Sequence, residues 1–307
     1  KTNSNRGSFA MSAAKPAYYA LWFQDPGASL SSATLDSLAA FDMVVTGPFP
    51  MEGTTSEPAY ASFISELRSR NSDIIVLMYA HPWYIRQDGA VGAGRAPYRQ
   101  VLDWANGPAD SSGWAHTQDA AVAWSRTYPG TSVINFMRAG AADTMARIWA
   151  EGYVTATGVN AEYTGLFVDD TVANLQFYDY YLSGGSGAYA DIDQALDVDQ
   201  DGTEYANDAD EKAAYRQYMV DFFSALRREF LNRRLSKRLI VANSDLGRAS
   251  SPSTMATTIM SKIDGFMNEG PNQWVPGSGA SDSTWTRVLA ASDLLTHSQV
   301  SPPLVLY

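Results

Sequence analysis

The chain has 307 residues, no cysteine and a formal net charge of −11 at pH 7. That acidity argues against capture of nucleic acid or of an anionic membrane surface, and the missing cysteines remove disulfides, thiolate nucleophiles and Cys-based zinc sites. With 45% hydrophobic and 12% aromatic residues, one large domain is expected over residues 17–307 behind a flexible arm at 1–16. No run approaches the ~20 apolar residues that span a bilayer, and the polar start Lys1 to Ser8 is unlike a signal peptide. Abundant Ser, Thr, Asn, Gly and Tyr with few Lys fits an extracellular or cell-surface protein.

In chain order, Ala17 to Phe23 predicts a first strand, Ser31 to Ala40 a helix and Met43 to Val45 a second strand. Glu57 to Arg70 is amphipathic, with Phe63, Ile64 and Leu67 on one face. The apolar run after Asp73 makes a third strand, ending in Ala80-His81-Pro82-Trp83-Tyr84. A long irregular excursion follows at about 86–129, then a doubtful strand at Val133 to Phe136 and a helix from about Ala139 to Glu151. Gly165-Leu-Phe-Val-Asp169-Asp170 is a buried strand tipped with two acids. A second long loop covers about 171–208, and Ala209 to about Asn232 is helical. Leu239 to Ala242 and Asp264 to Met267 are strands, Ser281 to Thr296 a helix, and Leu304 to Tyr307 a last strand.

Apolar strands alternating with helices imply a parallel sheet covered on both faces. The expected fold is α/β, a (β/α)8 TIM-type barrel, incomplete or open at its C-terminal end because no helix follows the last strand.

Two strands end in acids, at Asp169-Asp170 and at Asn268-Glu269. Carboxylates from different barrel strands meet on the catalytic face, where one can protonate a leaving oxygen and the other act as base or nucleophile. Adjacent residues of a continuing strand point to opposite sides, so only one of Asp169 and Asp170 is expected to face the centre. Asp169 is preferred, with Asp170 the alternative, and Glu269 is the partner. The competing reading is that an Asp at a strand end begins a turn or caps a helix. Trp22, Tyr79, Trp83, Tyr84 and Trp274 lie beside these strand ends and, with His81, are candidates for stacking or binding a sugar. Asn243 and Asp245 add polar groups on the same rim, Asp245 being a reserve acid.

The most specific motif is Asp197-Val-Asp199-Gln-Asp201-Gly202-Thr203, followed by Asp208. Acids at loop positions one, three and five, Gly at six and an acid at twelve match the EF-hand pattern for Ca2+. Position twelve is Asp, where the pattern has a longer Glu. The ligands on this reading are Asp197, Asp199, Asp201, Thr203 and Asp208, and the ion would pin the loop after the acid-bearing strand. The alternative is a solvated acidic turn whose Asp208 caps the next helix. There is no Gly-x-Ser-x-Gly elbow and no P-loop, and no organic cofactor is expected.

The strands Tyr18-Tyr-Ala-Leu-Trp-Phe23, Gly165-Leu-Phe-Val-Asp-Asp170, Leu239-Ile-Val-Ala-Asn243 and Gly265-Phe-Met-Asn-Glu269, with the acidic Asp-x-Asp-x-Asp-Gly insert, resemble glycoside-hydrolase-like (β/α)8 barrels related to endo-α-1,4-polygalactosaminidases. The resemblance implies that Asp169 or Asp170, and Glu269, stand where such barrels carry catalytic carboxylates. The expected function is hydrolysis of O-glycosidic bonds in a carbohydrate polymer by a two-carboxylate mechanism. The alternatives are a non-catalytic barrel that binds glycans or neighbouring subunits at a cell surface, and a metal-dependent hydrolase using the same acids.

Overall fold

The computed structural model describes residues 19–22, 30–46, 57–86, 98–107, 113–125, 131–155, 162–171, 196–205, 207–244, 253–267 and 304–306. In chain order the elements are β1 (Tyr19–Trp22), α1 (Ser32–Ala39), β2 (Met43–Thr46), α2 (Glu57–Arg70), β3 (Ile75–Ala80), β4 (Tyr84–Arg86), α3 (Tyr98–Ala105), β5 (Trp124–Ser125), β6 (Thr131–Val133), α4 (Ala141–Thr155), β7 (Gly165–Thr171), α5 (Ala209–Asn232), β8 (Leu239–Ser244), α6 (Ser253–Met260), β9 (Gly265–Met267) and β10 (Leu304–Leu306).

Seven strands form one sheet in the order β1-β2-β3-β7-β8-β9-β10, and every neighbouring pair is parallel. This is the winding of a TIM-type barrel, each strand laid beside the one before it. Among the described residues no ladder joins β10 to β1.

Period-two alternation divides the sheet into two faces. Val44, Val76, Met78, Leu166, Val168, Ile240 and Ala242 join the large core beneath the helices. Met43, Val45, Ile75, Leu77, Phe167, Val241 and Met267 form a separate cluster that has no helical member among the described residues. That face is buried all the same, each of these side chains being at most 2% exposed. A sheet face that no helix covers becomes dry by curling on itself, as a barrel interior does.

The helices form where the pattern predicts. Ser31 caps α1, its hydroxyl accepting from the Thr34 N–H at 3.1 Å. Along α5, Tyr215, Met219, Phe222, Leu226 and Phe230 recur at helical spacing and are all buried. Gly165 is required by contact, because a Cβ there would lie 2.1 Å from the Leu239 carbonyl oxygen on β8.

Two elements depart from expectation. The segment at Val133 is not a barrel strand: β6 pairs antiparallel with β4 and β5 in a separate three-stranded sheet. Thus the excursion after β3 has its own strands and α3, and the chain then returns through α4 to lay β7 beside β3. Helix α6 was not anticipated; its run Met255-Ala-Thr-Thr-Ile-Met260 is short and rich in Thr, without a strong amphipathic signal. The helix expected at Ser281 to Thr296 lies outside the described residues.

Candidate active site

In a parallel sheet all carboxyl ends lie on one edge. Residues 79–80 at the end of β3 with His81 just beyond it, 169–170 in β7 and 243 in β8 meet there, in registers fixed by Tyr79 opposite Phe167 and Val168 opposite Ala242. Alternation sends Tyr79, Asp169 and Asn243 toward the inner face, one layer above Leu77, Phe167 and Val241. The Tyr79 ring stacks on Phe167 with centroids 6.3 Å apart.

Asp169 is held by three donors. The Tyr79 hydroxyl donates to Oδ2 at 2.5 Å, the Asn243 side-chain amide to Oδ1 at 2.7 Å, and the Asp170 backbone N–H to Oδ1 at 2.9 Å. Burial nevertheless pushes the Asp169 carboxyl above the usual range, and the Asp170 charge adds to the effect. His81 and the Tyr79 and Asn243 hydrogen bonds pull the other way without cancelling it.

Asp170 corrects the expectation that only one of the two acids reaches the site. The β7–β8 register shifts between Val168 and Thr171, and Asp170 has φ of +49°. The bulge breaks the alternation, so Asp170 does not turn to the far side. Its Oδ2 lies 3.0 Å from His81 Nε2, and one ligand atom from each of His81, Asp169 and Asp170 falls within 4.8 Å of the others. Asp is one of the few non-glycine residues that tolerate the left-handed region, and such strain concentrates at functional sites. The three groups are those that could hold a metal at this edge.

Trp83 is a correction of the opposite kind. It is fully buried, edge-on to Phe222 of α5 at 5.7 Å and to His81 at 6.1 Å. It supports the His81 ring from behind and offers no face to a sugar. Tyr84 starts β4 and Trp22 ends β1. Glu269, Asp245 and Trp274 lie outside the described residues.

The acidic loop forms a second cluster. Asp197 is buried, its carboxylate accepting from the Asp201 N–H at 3.2 Å and the Gly202 N–H at 2.9 Å. Asp199 Oδ1 accepts from the Asp201 N–H at 3.2 Å, and Asp201 Oδ1 from the Thr203 N–H at 2.7 Å. Asp208 caps α5, Oδ1 accepting from the Asp210 and Glu211 N–H groups at 2.7 and 2.9 Å, as the helix-cap alternative holds. The sequence reading missed Glu211. It is fully buried, and its Oε1 accepts from the Val198 and Asp199 N–H groups. Burial pushes its carboxyl up to about 7. The available signal was Asp208-x-x-Glu211, a capping-box pattern, except that Glu211 reaches into the loop.

No known protein family matches this sequence, and no curated protein sequence matches it. Among solved structures, a class V chitinase from Nicotiana tobaccum is 12% identical with a TM-score of 0.43, over 91% of this chain and 63% of that one. A beta-galactosidase from the psychrophilic Marinomonas ef1 is 10% identical with a TM-score of 0.44, over 83% and 41%. A GH20 exo beta-N-acetylglucosaminidase from Vibrio harveyi is 9% identical with a TM-score of 0.39, over 84% and 42%. These neighbours are glycoside hydrolases. This chain spans 41% to 63% of their lengths.

Proposed function

We propose that this protein is a glycoside hydrolase that cleaves O-glycosidic bonds of a polysaccharide with a pair of carboxylates, secreted or held at the cell surface. The observation that carries the proposal is Asp169: an acid on the inner face of a parallel sheet, at its carboxyl edge, oriented by Tyr79 and Asn243 and raised in pKa by burial. A raised carboxyl beside a second acid is what proton transfer to a leaving oxygen and charge stabilisation at the sugar require. Glu269 is the proposed partner, two residues beyond β9 in sequence. Asp170 and His81 complete the polar wall. Kinship with polygalactosaminidase-type barrels is part of the same proposal, which makes an α-1,4-linked amino-sugar polymer the first substrate to try.

The test is a panel of polysaccharides with product sizes read out, for the wild type, Asp169→Asn and Glu269→Gln. Each amide variant is expected to lose roughly 100-fold or more in kcat with folding intact. Near-normal turnover in both would end the reading. Glycan binding without turnover in the wild type would favour a non-catalytic barrel.

A second reading rests on the grouping of His81, Asp169 and Asp170 within 4.8 Å, which also fits a metal-dependent hydrolase. Activity that survives exhaustive chelation counts against it.

A further inference from the structure

The acidic loop at 197–211 has no role in the hydrolytic reading, and its electrostatics are unbalanced. Asp197, Asp199, Asp201, Asp208 and Glu211 stand within one turn-and-cap unit. No Lys or Arg among the described residues makes an ion pair with any of them. Backbone N–H groups satisfy Asp197 Oδ1 and Oδ2 and Glu211 Oε1. Glu211 Oε2, in contrast, is buried and has no hydrogen-bond partner. A buried carboxylate oxygen left bare is costly and calls for a counter-charge.

We infer that Asp197, Asp199 and Glu211 form the core of a Ca2+ site, with Glu211 supplying the long carboxylate that the EF-hand pattern has at position twelve. One carboxylate oxygen of each lies within 4.8 Å of the others. Oxygens at about 2.3 to 2.6 Å from one Ca2+ can be no further apart than about 5 Å, so the three fit around a single ion. Asp201 and Asp208 group with Asp199 in the same way and extend the oxygen set. The donors are all carboxylates, with no His or Cys, which is the choice of a hard cation. Gln200 at φ +64° and Gly202 at φ +92° make the sharp turn that wraps the loop.

The location says what the ion would hold. The Asp197 N–H donates to the His116 carbonyl at 3.0 Å, Gln200 Nε2 to the Thr117 carbonyl at 2.9 Å, and Gln118 Nε2 to the Gly202 carbonyl at 2.9 Å. The other side of the site is the first turn of α5. A cation there ties the excursion that follows β3 to the helix that follows β7, the strand that ends just before His81 and the strand that carries Asp169. The inference stands independently of whether the protein hydrolyses sugars.

Metal-stripped full-length protein should bind one Ca2+ by isothermal titration calorimetry with Kd between about 10⁻⁷ and 10⁻⁴ M. Its melting temperature should rise by about 5 °C or more in roughly 1 mM CaCl2 over EDTA. Glu211→Gln and Asp199→Asn should each weaken Kd at least about tenfold. Asp199 is exposed, so its variant keeps the test decisive if Glu211→Gln does not fold. No calcium heat and no melting shift would overturn the site, as would an unchanged Kd in the variants or Mg2+ binding as tightly as Ca2+.

Discussion

The Tyr79 hydroxyl donates to Asp169 Oδ2 at 2.5 Å, joining residues 90 apart in sequence across the β3–β7 ladder. It is one of the contacts that favour the ionised carboxylate against the desolvation that raises its pKa. Tyr79→Phe removes the donor and keeps the ring on Phe167. The limb of the kcat/KM pH profile governed by Asp169 should move to higher pH. A profile that stays in place would show that this hydrogen bond does not tune the acid.

The raised pKa of Asp169 also has a sign for stability. The folded state holds the Asp169 proton more tightly than the unfolded chain does. The corresponding stability is fully present below the usual Asp range, about pH 4, and is lost as pH rises through the folded pKa. Asp169→Asn carries no such charge. The variant should therefore melt above the wild type at pH 8, and the gap should close as pH falls toward about 4. A gap that is constant with pH would contradict the burial argument.

At Asp170 the backbone itself is testable. With φ at +49°, Ala is strained there and Gly is not. Asp170→Ala and Asp170→Gly both remove the carboxylate facing His81, so the difference between them isolates the backbone. Urea unfolding should find the Gly variant more stable by about 1 kcal/mol. Ala equal to or above Gly would mean the bulge relaxes without the acid.

Gly165→Ala should be far costlier. Its Cβ would meet the Leu239 carbonyl oxygen at 2.1 Å, against backbone of the central ladder that cannot swing aside. Destabilisation of about 3 kcal/mol or more is expected from denaturant curves.

Much of the fold was legible because apolar runs with caps and turn residues report local structure directly. The runs at Met43, Ile75, Gly165, Leu239 and Gly265 became neighbouring parallel strands, and Glu57 to Arg70 became α2 with the same ends. Val133 misled because only it, of the apolar run at 133–136, enters β6 (Thr131-Ser-Val133), and so short a strand shows no local sign of whether it pairs parallel in the main sheet or antiparallel in an insert. Trp83 misled because proximity to a strand end does not say which way a ring turns, and Phe222, 139 positions away, takes it into the core.

The sequence by itself determined that the chain is a wound α/β sheet, that Asp169 stands at a strand end, and that an acidic loop precedes α5. Only the tertiary structure decided the rest. A bulge at Asp170 brought a second acid beside His81, Tyr79 and Asn243 came from β3 and β8 to hold Asp169, and Glu211 folded back from α5 into the acidic loop. The physical reason is common to all three: pairing register and backbone dihedrals set which side chains meet, and neither is encoded in the local period of apolar residues.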